Sequence, residues 1–107
     1  MERNITITQL QQYVKSKDFD FDKHNWILKF MEESGELANA ILHDYPHAEG
    51  VTYKNTLEEE FGDVLFCLCA LANLYDVDIE KWFIIKQKEI DKEYNANYFN
   101  EFFQNKI

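Results

Sequence analysis

The sequence has very few of the residues that interrupt helices, with only three glycines and one proline among its 107 residues. So few turn signals, spread over a chain rich in Leu, Ile, Phe, Glu, Lys and Asn, favour long helices over many short strands. A chain of this length fits one domain, and its 46% hydrophobic residues are enough for a core. We therefore predict a single all-α domain over residues 1–107, built as a bundle of four to five helices.

Basic residues are also scarce, since 11 Lys and Arg stand against 20 Asp and Glu, giving a net charge of −9 and a pI near 4.7. Nucleic acids and anionic membrane surfaces are held largely by Lys and Arg. The composition therefore argues against both as general partners. An anionic substrate would need a bridging cation.

Long hydrophobic runs are absent. The longest, Val64 to Ala72, has nine residues, whereas a helix needs about 18 to span a bilayer. The amino-terminal stretch MERNITITQLQQYVK has no apolar core of signal-peptide length. We expect a soluble, cytoplasmic protein.

Cysteine is limited to Cys67 and Cys69, both inside that apolar run. On a helix the two side chains would point about 200° apart, too far for a local disulfide. The spacing is not C-x-x-C, and no basic residue nearby would lower a thiol pKa. Both are predicted to be buried thiols of a reducing compartment.

Hydrophobic spacing predicts five helical segments, joined by a connection over residues 18–23 and a loop over residues 43–55. Side chains suited to N-caps precede four of them, with alternatives left open for the first two and a T-x-x-E capping box for the third. The segments are residues 5–17 (cap Thr6 or Thr8), 25–43 (cap Asp22 or Asn25), 56–75 (cap Thr56 with Glu59), 79–94 (cap Asp78) and a short helix within 95–107.

The second and third segments carry the strongest hydrophobic patterns. In the second, one stripe is predicted to face the core; it comprises Ile27, Phe30, Met31, Leu37, Ala38 and Ile41. The centre of the third is apolar all the way round, so it needs cover on nearly every side. A small monomer cannot easily supply that cover, and we therefore predict a homo-oligomer, dimer or tetramer, with this helix against its mate.

Two acidic pairs flank these apolar stripes, each with i, i+3 spacing: Glu33 with Glu36, and Glu60 with Asp63. Helix capping does not readily explain Asp63, two turns into its helix. Carboxylates in such surroundings repel one another and lose hydration, at a cost of several kcal/mol per ion unless something compensates. A hard divalent cation, Mg²⁺ or Mn²⁺, would do so through oxygen ligands.

The motif Glu33-Ser-Gly-Glu36, followed after 23 residues by Glu60-Phe-Gly-Asp63, resembles the E-x-x-E … E-x-x-D signature of the all-α nucleoside triphosphate pyrophosphohydrolases, the MazG-like group. The surrounding stretches EESGELANAI and EEEFGDVLFCLCALA are similar to that group as well. The resemblance covers about residues 26–94, which is most of the chain.

The resemblance implies Mg²⁺-dependent hydrolysis of a (deoxy)nucleoside triphosphate between the α- and β-phosphates, in nucleotide-pool house-cleaning. It makes the four motif acids the metal-binding and catalytic residues, and it leaves Glu32 and Glu59 outside the ligand set. Phosphates also need cationic contacts, for which the candidates are Lys29 first, then Lys54 and either Lys88 or Lys92. Trp26 is a candidate for stacking on the base, although plain core packing is favoured for it.

Two other functions remain open: an inactive helical oligomerisation module with the same fold, and phosphoribosyl-ATP pyrophosphohydrolase activity on the same architecture. A zinc site at His43 and His47 is disfavoured, because Pro46 would break the helix that aligns them. A merely solvated acidic face is the plain alternative to the metal site.

Overall fold

The structure of the protein is a computed structural model that describes residues 4–17 and 22–104. Within these residues the chain forms five α-helices and no β-strand. Glu49 and Thr52 form an isolated β-bridge. The helices are α1 (Ile7–Ser16), α2 (Lys23–Leu42), α3 (Leu57–Leu74), α4 (Ile79–Glu93) and α5 (Tyr98–Phe103). The predicted all-α class is confirmed. No helix of the described ranges combines the length and hydropathy needed to cross a bilayer.

The first four helices begin at side-chain caps that occupy orphan backbone N–H groups. The structure selects Thr6 and Asp22 from the alternatives that the sequence left open. Thr56 and Asp78 cap α3 and α4 as predicted. Helix bounds agree with the prediction to within one or two residues at most ends. Most of the predicted connection and the last three residues of the chain lie outside the described residues.

The core lies where α2 and α1 both pack against α3. Its buried members come from all three helices, and the Trp26 and Phe66 rings lie 6.2 Å apart between centroids. The buried cluster consists of Val14, Trp26, Cys67, Cys69 and Ala70. Both thiols are free and buried as predicted, and burial raises the pKa of each.

The predicted core stripe of α2 is wrong at several positions. Ile27, Met31 and Ile41 are 43%, 65% and 53% exposed, whereas Trp26 and Ala40 are buried. The helix carries two apolar stripes roughly 120° apart by helical geometry. The stripe centred on Trp26 and Ala40 packs against α3. Phe30 and Leu37 of the predicted stripe border it and are half-buried, with Phe30 against the core, whereas the rest of the predicted stripe faces outward.

Helix α3 is likewise not covered on every side by its own chain. Cys67, Cys69 and Ala70 are buried, but Phe61 and Leu68 are 54% and 38% exposed. The exposed residues lie on one flank of α3. This flank and the outward stripe of α2 meet around an open cavity lined by Ile27, Leu68 and their neighbours.

A polar contact joins α1 to the α3–α4 turn. Gln11, which is 5% exposed, donates to the Val77 carbonyl at 2.7 Å and to Asn73 Oδ1 at 3.3 Å, and its Oε1 accepts from Ile79 N–H at 2.8 Å. Asn73 in turn donates to the Gln11 carbonyl at 2.9 Å. Each polar group of the Gln11 side chain is thus satisfied, and the contact fixes the start of α4.

Candidate metal centre

Three carboxylates from two helices converge at the α2–α3 contact. One oxygen from each of Glu33, Glu36 and Glu60 lies within 4.8 Å of the other two. We call these three residues the acidic cluster. Glu33 and Glu60 are only 7% and 9% exposed, while Glu36 is open to solvent. The cluster therefore has a buried floor and one exposed side.

Two oxygens in the floor of the acidic cluster have no partner among the described residues. Glu33 Oε2 and Glu60 Oε2 are both buried and accept no hydrogen bond. Buried carboxylate oxygens are costly to leave unsatisfied, because a protein interior rarely compensates for lost hydration. A hard divalent cation between the two helices would satisfy both oxygens. The donor set therefore fits Mg²⁺ or Mn²⁺.

The pKa values of the cluster acids are shifted in the direction expected for crowded like charges. The pKa of Glu36 is raised, first by its close approach to Glu33, which favours a proton shared between the two carboxyl groups, and then by the charge of Glu33. Burial raises the pKa of Glu60, and the charges of Asp63 and Glu33 add to this. Each shift opposes full ionisation, as expected where a compensating cation is needed.

Asp63, the fourth acid of the sequence motif, lies outside the group of three but close enough to feel its charge. It is half-buried, and its pKa is raised first by desolvation and then by Glu33. The charge of Lys29 acts in the opposite direction on the same carboxyl. The structure thus brings three of the four predicted acids together and places the fourth beside them.

Lys29 lies at the edge of the acidic cluster. Its ammonium is 3.1 Å from Glu33 Oε1 and 3.2 Å from Glu32 Oε1, and these contacts raise the pKa of Lys29. One oxygen of Glu33 is therefore held by a cation of the chain, while the other is one of the unpartnered oxygens. The lysine proposed from the sequence for phosphate binding is next to the acids.

The neighbouring acids have other partners. Glu32 pairs with Lys29, and Glu59 accepts from the Asn55 N–H at 2.9 Å. In the predicted capping box, Thr56 Oγ1 accepts from Glu59 N–H at 3.4 Å, but the glutamate returns its bond one residue earlier than predicted. Glu32 and Glu59 are not members of the acidic cluster.

The contact made by Glu58 was not predicted from the sequence. Its carboxylate accepts from the Ala48 N–H at 2.6 Å and meets His47 Nδ1 at 2.7 Å. The hydrogen bond from His47 and then that from Ala48 lower the pKa of Glu58. This contact ties the 43–56 loop to the first turn of α3, two residues before Glu60. Eleven residues separate His47 from Glu58, so no local pattern marks the pair.

The two histidines do not pair with each other. His43 Nδ1 lies 3.0 Å from the Asn39 carbonyl oxygen, and His47 is bound to Glu58. Among the described residues neither histidine belongs to a group that could hold a metal ion.

The remaining candidate substrate residues are more dispersed. Trp26 is 6% exposed and packs in the core, so core packing explains this residue without a contact to the base. Lys54 is exposed in the loop before α3. Lys88 is on α4, with its ammonium 5.6 Å from the centre of the Phe99 ring. Of the lysines named from the sequence, only Lys29 is shown in contact with the acidic cluster.

A glycine directly precedes one acid of each motif pair, Gly35 before Glu36 and Gly62 before Asp63. A Cβ built on Gly35 or Gly62 would meet no other atom within 4 Å. Packing of α2 against α3 within the chain therefore does not require either glycine. Open space lies on these sides of the helices.

The chain matches the family model of the MazG nucleotide pyrophosphohydrolase domain over residues 21–93. Among solved structures it is similar to iMazG from Vibrio DAT 722, with 30% identity and a TM-score of 0.75 over 86% of this chain and 100% of that one. It is also similar to YpjD from Bacillus subtilis, described as a candidate pyrophosphatase, with 29% identity and a TM-score of 0.62 over 90% of this chain and 100% of that one. In sequence, the uncharacterised YpjD of Bacillus subtilis (strain 168) is 33% identical over 76 residues, which is 68% of each chain.

These matches define the class as the all-α MazG-like fold. The chain belongs to the MazG nucleotide pyrophosphohydrolase family. The family and the structural neighbours support pyrophosphohydrolase activity. MazG-like enzymes generally depend on a divalent metal ion, which agrees with the unpartnered oxygens of the acidic cluster.

Proposed function

We propose that the protein is a Mg²⁺-dependent nucleoside triphosphate pyrophosphohydrolase. It cleaves a (deoxy)nucleoside triphosphate between the α- and β-phosphates and releases the monophosphate and pyrophosphate. The observation that carries this proposal is the pair of buried, unpartnered oxygens on Glu33 and Glu60 within the family's acidic motif. Two helices hold these oxygens together at a cost that a bound cation would offset.

Glu33, Glu36 and Glu60 would hold the cation, with Asp63 completing the ligand set. Carboxylate oxygens in this number suit Mg²⁺, and Mn²⁺ is the natural substitute. When bound, the cation supplies charge neutralisation for the phosphates and Lewis-acid activation of the attacking water. The same four acids are also proposed as the catalytic residues, because the groups that hold the cation would also lie next to the water that it activates.

The chain's own residues contribute position and charge. Glu33 and Glu60 form a floor that solvent barely reaches, so substrate approaches from the exposed side of Glu36. On that side Lys29, already 3.1 Å from Glu33, would donate to a phosphate oxygen. Lys54 and Lys88 remain candidates for further phosphate contacts, and Trp26 for contact with the base. Holding the phosphates in line with the water is most of what such an enzyme must do.

We further propose a role in nucleotide-pool house-cleaning in the cytoplasm. The two free, buried thiols are what a reducing compartment preserves. The net charge of −9 makes a bridging cation necessary for any triphosphate. Phosphoribosyl-ATP shares the reaction type, so it belongs in any substrate panel.

Self-association is the second part of the proposal. The outward stripe of α2 and the exposed flank of α3 form one apolar surface, which we call the α2–α3 face; it comprises Ile27, Met31, Ile41, Phe61 and Leu68. By helical geometry this face lies on the opposite side of the helix pair from Glu36 and Lys29. A second copy packed there would leave the acidic cluster open to substrate. We propose a dimer or tetramer built on this face.

Pyrophosphate release tests the enzymatic part. Purified protein with Mg²⁺ is assayed against canonical dNTPs, modified NTPs and phosphoribosyl-ATP, and we expect a monophosphate and pyrophosphate from at least one of them. Glu36→Gln and Asp63→Asn should abolish turnover while leaving the oligomer folded, because each removes a repelling charge. Glu32→Gln is the matched control and should retain turnover. A fold without turnover on the whole panel would favour an inactive oligomerisation module.

The oligomeric state tests the α2–α3 face. Light scattering after size exclusion should give a multiple of the 12.9 kDa chain mass. Met31→Lys should weaken association, since it buries a charge in the face. Glu32→Gln changes the charge by the same amount on the other flank of α2 and should leave association unchanged. Equal masses for both variants and the parent would place the interface elsewhere.

A further inference from the structure

The first turn of α3 lies outside the apolar core that holds the rest of the helix. The core cluster and the side chains packed on it take their α3 members from Leu65 to Leu71. Glu60 lies more than one helical turn before Leu65, and its neighbour Phe61 is 54% exposed. The core therefore does not fix this turn, although the turn carries one of the two buried acids of the acidic cluster.

The charges of the acidic cluster act to separate α3 from α2 at this point. Oxygens of Glu33 and Glu60 lie within 4.8 Å of each other across the contact between the helices. Each residue also keeps one buried oxygen without a partner among the described residues. Like charges at this distance repel strongly where water is excluded. Before a cation binds, a contact elsewhere has to hold Glu60 beside Glu33.

The loop between the two helices supplies such a contact. Its residues 45–48, which we call the strap, run from the end of α2 to the first turn of α3. At one end Tyr45 N–H donates to the carbonyl of Ala40, a fully buried residue, at 2.9 Å. At the other end Leu57 N–H donates to the Pro46 carbonyl at 3.0 Å. The strap is thus bonded to both helices that carry the acids.

Glu58 joins α3 to the strap through its side chain. Its carboxylate accepts from the Ala48 N–H at 2.6 Å and meets His47 Nδ1 at 2.7 Å. The hydrogen bonds from His47 and Ala48 hold the pKa of Glu58 below its usual value, so the carboxylate is ionised at neutral pH. By helical geometry Glu58 lies about 200° around α3 from Glu60. The strap therefore holds this turn from the outside, while Glu60 faces α2.

We propose that Glu58 is a positioning residue of the metal centre, which holds Glu60 in place before the cation arrives. This inference rests on the proposed function, because it concerns the same acidic cluster. Glu58 is not a member of that cluster; it acts through the strap, which resists the repulsion between Glu60 and Glu33. The site is thereby formed in advance, so little of the binding free energy of the cation is spent on bringing the two helices together.

The plain alternative is that Glu58 interacts only with the helix dipole, as acids in a first turn commonly do. Glu59 provides the comparison, because it lies in the same turn and carries the same charge. Its carboxylate accepts from the Asn55 N–H at 2.9 Å, and Asn55 lies outside the strap. An effect of the dipole would be similar for both acids, whereas positioning through the strap is expected of Glu58 alone.

Titration with Mn²⁺, followed by electron paramagnetic resonance, tests the proposal without turnover. Glu58→Ala should raise the Mn²⁺ dissociation constant about tenfold, since it removes both bonds to the strap. Glu58→Gln should stay within about threefold of the parent, because its amide can still accept from Ala48 N–H and donate to a neutral His47. Glu59→Ala removes the same charge and should stay within about twofold. Circular dichroism checks that each variant is folded.

The Mg²⁺ dependence of pyrophosphate release gives the second measurement. In Glu58→Ala the Mg²⁺ concentration that gives half the maximal rate should rise about tenfold. At saturating Mg²⁺, kcat should stay within about twofold of the parent, since the bound cation then holds Glu60 itself. His47→Ala removes one of the two contacts and should give an intermediate rise. A kcat that is lowered equally at every Mg²⁺ concentration would indicate general damage and overturn the proposal.

The outcomes separate this role from the proposed function. If the parent and Glu58→Ala bind Mn²⁺ equally well, the acidic cluster is a metal centre that Glu58 does not position. Equal weakening in Glu58→Ala and Glu59→Ala would reduce the effect to charge and would also reject the role of the strap. Mn²⁺ binding that depends on Glu58 in a protein without turnover would support the positioning role and reject the enzymatic proposal. A parent that binds no Mn²⁺ would reject the metal centre and the role of Glu58 together.

Discussion

Removing one buried charge from the acidic cluster should stabilise the metal-free protein. In Glu60→Gln the carboxylate is replaced by an amide of the same shape, less than 4.8 Å from an oxygen of Glu33. At that distance two unit charges repel by about 3 kcal/mol for an effective dielectric constant of about 20. Partial protonation of Glu60, whose pKa is raised by burial, reduces this value. We therefore expect a gain of about 1–3 kcal/mol at pH 8.

The assay is thermal unfolding with chelator and with excess Mg²⁺, at one fixed protein concentration because association also affects stability. A gain of 1 kcal/mol corresponds to about 4 °C for a chain of this length. Mg²⁺ at about 100 times its dissociation constant should stabilise the parent by about 2.7 kcal/mol. It should have little effect on the variant, which has lost a central ligand.

Glu59→Gln is the matched control. It removes the same charge from the adjacent residue, whose carboxylate accepts from the Asn55 N–H. This variant should lose a few tenths to about 1 kcal/mol and keep its response to Mg²⁺. If Glu60→Gln behaves like Glu59→Gln in both conditions, the acidic cluster is not a cation site and the electrostatic reasoning fails.

Three further outcomes follow. The pKa values of Glu36, Glu60 and Asp63 are raised in the fold, so these acids contribute stability at low pH that is lost as the pH rises through the raised values. The melting temperature of the metal-free protein should therefore fall from about pH 5 to pH 8, and Mg²⁺ should flatten this slope. A melting temperature that rises over this range would contradict the argument. Lys29→Met should raise KM for the triphosphate about tenfold with a smaller change in kcat, and Lys29→Arg should recover most of it; an unchanged KM would remove Lys29 from the phosphates. Gln11→Leu leaves Val77 and Ile79 backbone groups buried without partners, so urea unfolding should show a loss of about 2–4 kcal/mol, and the exposed neighbour Gln12→Leu should show almost none.

The parts of the fold that follow local rules could be predicted from the sequence. Capping residues and hydrophobic spacing located all five helices because both act within one or two turns. The doubled acidic spacing likewise identified Glu33, Glu36 and Glu60, since a repeated i, i+3 pair places its members on one flank. These three residues meet in the structure.

The inner face of α2 could not be chosen in this way. The stripes that contain Trp26 and Met31 have the same period, and only the position of α3 decides between them. The contact of Glu58 with the 43–56 loop, and the exposure of α4, also depend on the path of the chain through space. Whether a second copy covers the exposed stripes is a property of the assembly, which one sequence does not contain.

Glycine is also missing from the ends of the helices, where a left-handed residue is needed. After each of the three longest helices the chain turns through a left-handed residue that is not glycine: Asp44 with φ 51°, Asp76 with φ 54° and Asn95 with φ 50°. A side chain in that region costs about 1 kcal/mol that glycine avoids. The two aspartates also place negative charge at the carboxyl ends of α2 and α3, where the helix dipole disfavours it. Substituting glycine at these three turns should therefore raise the thermal stability of the protein without altering any residue of the acidic cluster.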